Sequence, residues 1–151
     1  IRRKFDQYVC IRPSVLFPGV DSPLKNVDEG DIDIIVVREN TEGEYANIGG
    51  FQYQGTEDEI ALQTAVFTRK GTERIIRYAF ELAKNRDKKL TSITKSNAQG
   101  YSMVLWDRVF EDVSKVLIIV WRYLFGIVGQ IVAPKVKLLR SFKEDFVSTL
   151  I

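Results

Sequence analysis

The chain contains no histidine and a single cysteine, Cys10. Without histidine, a Ser-His-Asp triad, a Cys-His pair or a histidine zinc site cannot form within it. Acid–base chemistry must therefore fall to Lys, Tyr, Asp or Glu. One cysteine excludes an internal disulfide and fits a reducing compartment. With no histidine to activate it, Cys10 reads as a packed apolar residue. The glycines at 49–50 and 55 match neither a GxGxxG nor a Walker pattern, so no phosphate loop is expected. No basic stretch is interleaved with aromatics, and 22 basic residues face 20 acidic ones for a net charge of +2. That balance gives no reason to expect a nucleic-acid partner. The opening Ile-Arg-Arg-Lys-Phe-Asp has no apolar core behind its basic residues, so no targeting segment is visible and a cytoplasmic or organelle-matrix location is expected.

What is present suits a soluble globular protein: 151 residues, 45% apolar and 28% charged. Pro13, Pro18 and Pro23 fall in a stretch reaching Gly30, which reads as an extended, rigid connection. Residues 31–37, apolar at Ile32 and from Ile34 to Val37, are expected to form a strand buried on both faces. Residues 46–58, rich in Gly and Gln, suggest a loop or hairpin arm, and alternation of Ile60, Leu62, Thr64 and Val66 suggests a second, half-exposed strand. A helix is expected from about Gly71 to Arg86. Its apolar face is Ile75, Ile76, Ala79, Phe80 and Ala83, and Glu73–Arg77 and Arg77–Glu81 pair at helical spacing. Lys89 to Thr94 reads as a short strand, with Ser96 or Asn97 capping a following helix that turns Tyr101, Val104, Leu105, Val109 and Val113 to one side. This order of elements means α/β. After Lys115 the composition breaks. Between Val116 and Ala133 the only charge is Arg122, and a basic segment follows. Residues 1–115 are therefore read as one partial domain and 116–151 as a tail of different character.

The chemistry concentrates just after the apolar run, in Arg38-Glu-Asn-Thr-Glu-Gly-Glu-Tyr45. An arginine at a strand end can take a carboxylate bidentately, and a tyrosine can hand over a proton. Arg2, Arg12 and Arg38 are three candidates to face one anionic ligand, although each taken singly is more often a solvated surface arginine. Tyr45 is a general acid or an aromatic covering a sheet edge. Lys95, directly after a strand, is either solvated or a base whose pKa is depressed. Asn97 caps a helix or donates to a carboxamide.

These residues carry a resemblance. Arg2-Arg3-Lys4-Phe-Asp-Gln-Tyr, Ile11-Arg12-Pro13, Leu16-Phe-Pro-Gly19, Ser22-Pro-Leu24, Arg38 to Tyr45 and Leu90 to Asn97 occur in an order that resembles the isocitrate/isopropylmalate dehydrogenase family. The wording of Glu42-Gly43-Glu44-Tyr45, Gly55-Thr56-Glu57 and Thr94-Lys95-Ser96-Asn97 is most similar to its tartrate/D-malate dehydrogenase branch. The resemblance spans residues 1 to about 114. It implies a partial isopropylmalate dehydrogenase-like fold with a hairpin clasp arm. The implied activity is NAD-dependent oxidation and β-decarboxylation of a 2-hydroxy dicarboxylic acid (tartrate- or D-malate-like, isopropylmalate or isocitrate), with NADP the other candidate cofactor and Mg or Mn as metal. By the same resemblance Arg2, Arg12 and Arg38 bind substrate carboxylates and Tyr45 protonates the enolate left after CO₂ departs. Lys95 serves the base that takes the hydroxyl proton, and Asn97 lies beside the nicotinamide. The arm, residues 46–68, implies a homodimer in which the lysine crosses into the partner's site.

Nothing after Val116 resembles the family's metal-binding aspartates or its adenosine-binding loop, and Asp107 and Asp112 lie on different faces of one helix. The chain is therefore expected to be the middle of such an enzyme joined to a tail, residues 116–151, unrelated to the family, without metal ligands of its own and inactive as it stands. Two alternatives come from other classes. One is a non-catalytic interaction subunit pairing through the arm. The other is membrane attachment through 116–133, against which stand the short length and Arg122, at a cost of roughly 2.5–3.5 kcal/mol.

Overall fold

The computed structural model describes residues 1, 4–125 and 135–140. Their elements run β1 (Val9–Val15), β2 (Asp33–Glu39), β3 (Gly43–Gln52), β4 (Ile60–Val66), α1 (Arg69–Lys84), β5 (Lys89–Thr94), α2 (Ser102–Phe125) and β6 (Lys135–Arg140). The α/β order expected from the sequence is the observed one.

The core lies between the two helices. Ile75, Ile76 and Phe80 of α1 meet Val109, Phe110 and Val113 of α2, with Tyr8, Val9, Val37, Leu90, Leu105, Trp106 and Leu117 around them. The Phe80 and Phe110 rings stack with centroids 5.8 Å apart. Burying each such side chain is worth roughly 1.5–3 kcal/mol. Trp106 adds a polar tie, its Nε1 donating to Ser92 Oγ on β5 at 3.0 Å. On α1 the expected apolar face is the buried one. Glu73 and Arg77 pair at 2.7 Å, whereas Glu81 pairs with Lys84 at 3.7 Å and not with Arg77.

Several expectations are corrected. Part of the stretch read as an irregular, proline-rich connection is a strand, β1, paired antiparallel with β2 from Val9↔Glu39 to Val15↔Asp33. Pro13 sits within it because β1 has a single neighbour in its two-stranded sheet, so the missing N–H has no second strand to serve. The apolar run is therefore not buried on both faces, and Ile34 is 57% exposed. One face of the ribbon, through Val9 and Val37, packs on the helical core; the other is open. The strand also extends to Glu39, so Arg38 belongs to β2 and does not follow it. At the second helix, neither Ser96 nor Asn97 is the cap: a turn intervenes and α2 begins at Ser102. Tyr101 and Val104 consequently lie exposed, while Val109 and Val113 are buried as expected.

The composition break at residue 115 falls inside α2, which continues to Phe125. The backbone of β6 then pairs parallel with β5, from Lys89↔Lys135 to Thr94↔Arg140. No described helix is long and apolar enough to cross a membrane. Residues 126–133 of the segment weighed for that role lie outside the described residues.

Candidate active site

Antiparallel register decides which side chains share a face. Cys10 lies opposite Arg38 and Arg12 opposite Val36, so Arg12 and Arg38 stand on the same face as diagonal neighbours. Such neighbours are roughly 7–8 Å apart, within reach of one small dianion for long side chains. Because Val9 and Val37 occupy the core-facing side, the two arginines occupy the open one. The structure thus unites two of the three arginines proposed from the sequence. Arg2 lies outside the described residues.

The turn after β2 then brings Tyr45 to Arg38. Gly43, buried and at φ +66, makes the bend. A side chain there would crowd the Phe67 ring, 3.2 Å from an added Cβ. Between Gly43↔Val66 and Ile48↔Thr64 the β3–β4 register shifts, so residues 44–47 bulge out of the ladder. Bulges re-aim side chains. Here the result is the Arg38 guanidinium stacked over the Tyr45 ring, 4.5 Å from its centroid. Gln63 Nε2 donates to the Glu44 carbonyl at 2.9 Å, satisfying a group that the bulge takes from the ladder.

The acidic residues of this turn are occupied in holding it. Glu39 accepts from Thr41 N and Oγ1, both at 2.8 Å, and from Glu42 N at 2.6 Å. Glu42 accepts from Thr68 N at 2.9 Å and Thr68 Oγ1 at 2.6 Å, and Thr68 in turn caps α1 by accepting from Gly71 N at 2.9 Å. The first turn of α1 has no acid of its own, so Glu42 supplies the negative charge that a helix N-terminus favours. Gly71 is what allows this, since an added Cβ would fall on the Glu42 carboxylate.

Arg74 of α1 ties the turn to the N-terminal segment. Its Nη1 donates to both oxygens of Asp6 (3.1 and 2.8 Å) and its Nη2 to Thr41 Oγ1 at 2.6 Å. The same guanidinium lies 3.5 Å from Glu39 and stacks 4.4 Å from the Tyr8 ring centroid. Sequence reasoning missed Arg74 because an arginine beside Ile75 and Ile76 looks like the solvated rim of an amphipathic helix. Its one signal is position, at the edge of the face that must meet the strands.

Lys95 and Asn97 lie in the turn that follows β5. The Lys95 carbonyl accepts from Ala98 N and Gln99 N, both at 2.9 Å, and Ser96 N donates to Thr94 Oγ1 at 3.2 Å. Lys95 is half-buried and Asn97 is exposed in this turn. Asp107 is buried on α2, whereas Asp112 is held by Arg69 at 2.6 Å. Among the described residues no three His, Cys, Asp or Glu side chains come together as a metal site. Gly49 and Gly50 lie in a hairpin strand and Gly55 in the turn beyond it, so they make no dinucleotide cradle. The described residues thus do not fit a metal or a whole dinucleotide, and no step below is routed through either.

The helical pair, the two-stranded ribbon and the hairpin frame these residues, and comparison with known proteins shows the family they belong to. The profile of the isocitrate/isopropylmalate dehydrogenase family matches residues 1–151, and the chain belongs to that family. It is 56% identical over 108 residues to the tartrate dehydrogenase/decarboxylase of Pseudomonas putida, covering 71% of this chain and 30% of the relative. It is also 56% identical over 115 residues to the D-malate dehydrogenase (decarboxylating) of Escherichia coli K12, covering 76% and 32%. Among solved structures, isocitrate dehydrogenase from Methylococcus capsulatus superposes with a TM-score of 0.69 at 31% identity, over 91% of this chain and 35% of that one. The chain spans about a third of the length of these relatives.

Proposed function

We propose that this chain carries the substrate-anchoring and acid–base residues of an oxidative decarboxylase of 2-hydroxy dicarboxylic acids, of the tartrate or D-malate kind. The observation that carries the reading is the register placing Arg12 and Arg38 on one open strand face with Tyr45 stacked on Arg38. Two guanidinium groups on one face suit a dianion, because each can meet a carboxylate with paired N–H donors. Tyr45, held against Arg38, would stand beside the carboxylate that leaves as CO₂ and return a proton to the carbon left behind. Lys95, in the turn after β5, would take the hydroxyl proton.

Binding tests the reading directly. D-malate or tartrate should bind this chain more tightly than acetate. Arg38→Lys should weaken the dicarboxylate by roughly 1.5–3 kcal/mol, since an ammonium cannot reproduce the bidentate fork. Calorimetry showing equal affinity for the two proteins would reduce Arg38 to a surface charge.

The arm supports a second element of the proposal, pairing of two copies. On the β3–β4 hairpin Ile48, Ile60 and Leu62 share one face and lie exposed, as do Phe51 on the opposite face and Tyr53 just beyond β3, apolar surface that a matching hairpin would cover. Light scattering should give twice the mass of the chain, falling to a single mass on Phe51→Glu/Leu62→Glu. A monomer for the unaltered chain at micromolar concentration would refute it.

A further inference from the structure

We propose that Asn40 is a positioning residue that fixes the Arg38 guanidinium for a dianionic ligand while leaving its charge unspent; the proposal rests on the substrate-anchoring reading above. Arg38 Nη1 donates to Asn40 Oδ1 at 3.0 Å. Asn40 is itself fixed from two directions. Its Nδ2 donates to the Gln7 carbonyl at 3.1 Å, and its backbone N–H donates to the Tyr8 carbonyl at 2.9 Å. Its side chain therefore cannot turn to follow Arg38; the guanidinium must come to it.

The electrostatics explain why an amide and not a carboxylate stands here. Two acids, Glu39 and Glu42, are close to Arg38 in sequence and would neutralise it if they reached it. Both are held elsewhere, Glu39 by Thr41 and Arg74 and Glu42 by Thr68. Among the described residues Arg38 pairs with no carboxylate; it meets a neutral amide oxygen and an aromatic face. One Nη is thereby anchored and one face is covered. The plane is set, and the remaining N–H edge keeps its full charge for an incoming carboxylate. Pre-set geometry of this kind raises affinity because less freedom is lost on binding.

The experiment uses the intact chain and phenylglyoxal, which reacts with accessible guanidinium groups, followed at Arg38 by peptide mass spectrometry with and without D-malate. Asn40→Ala removes both the acceptor for Arg38 and the donor to Gln7. Asn40→Asp removes the donor to Gln7 but keeps the acceptor and adds charge. The expected result is a split. Ala should speed modification of Arg38 at least threefold, Asp should leave it as slow as in the parent or slower, and both should lose most of the protection by D-malate. A residue that merely braced Gln7 would make Ala and Asp behave alike, and that result overturns the proposal. So does an unchanged rate in Asn40→Ala. Should the Ala variant fail to fold, nitrogen-15 spectra of the parent decide: one Nη of Arg38 slowed relative to the other supports the anchor, and an averaged pair refutes it. Absence of D-malate protection in the parent, with the Ala/Asp split intact, would instead sink the substrate reading and leave the positioning role standing.

Discussion

The turn from Arg38 to Tyr45 and the turn from Lys95 to Asn97 are built by different means. In the first, Glu39, Asn40, Thr41 and Glu42 each commit a side chain to holding the bend, and partners come from Gln7 before β1, from Thr68 and from α1. In the second, the Lys95 carbonyl and the Thr94 hydroxyl, both local, hold the chain. A group that must meet a carboxylate with a flat fork needs its orientation fixed in advance. An ammonium on a flexible four-carbon stem presents its charge from many directions and needs less bracing. The difference teaches that a motif rich in polar residues is not a list of catalytic groups. In Arg38–Tyr45 the outer two residues stack on each other, and the side chains between them hold the bend.

The largest effect should come from the loosely built turn. With residues 4–114 grafted into the frame of the E. coli relative, Lys95→Met should lower turnover by roughly 10²–10⁴-fold, the usual worth of a positioned base. Tyr45→Phe should slow protonation after decarboxylation more than hydride transfer, separable by the deuterium effect on each step. Turnover within about twofold of the parent (~0.4 kcal/mol in barrier) would remove Lys95 from the chemistry and leave the braced turn as the whole site.

Next in size is the brace itself. Arg74→Met leaves Glu39, whose side chain is 12% exposed, without its cation, and releases Asp6 and Thr41. Stranding a largely buried carboxylate in this way should cost roughly 2–4 kcal/mol in denaturant unfolding. Arg77→Met, which breaks a solvent-facing pair three residues on, should cost only about 0.3–0.5 kcal/mol. Similar losses for the two would show that the turn does not lean on α1.

How much of this was legible in the sequence follows the same division. Periodicity located α1, because burial of a stripe is a local property of the chain; alternation also marked β4, but both its faces are exposed up to Val66, so the expected half-burial is absent. It misjudged β1, since proline argues against a strand unless the strand is known to lie at an edge, and edges are tertiary facts. It also misjudged the burial of β2, because an apolar run does not reveal whether its neighbour is parallel or antiparallel. Arg38 and Tyr45 were singled out from their place at the end of an apolar strand, although Arg38 proved to lie within it. Asn40 and Arg74 were not: Arg74 meets Asp6 and Thr41 across 68 and 33 residues of sequence, a separation on which no motif reports.

The smallest expected effect concerns the tie between the helices that carry the two turns. Arg69, in the first turn of α1, holds Asp112 of α2 at 2.6 Å, and both side chains are about half exposed. The hydrogen bond from Arg69 lowers the Asp112 pKa from 3.8; partial burial opposes it, and the charges of Arg69, Lys115 and Arg108 lower it further. The sign follows from linkage. The folded chain releases this proton more readily than the unfolded one, so the contribution is complete above the unfolded value near 3.8 and is lost as pH falls through the lower folded value. Asp112→Asn should therefore unfold slightly more easily than the parent at neutral pH and low salt, and the gap should close on acidification. Molar salt should close it as well, because water and ions reach the pair freely. A stability difference that survives both acid and salt would have to come from packing between α1 and α2, and the two turns would then be coupled through the helical core and not through this surface pair.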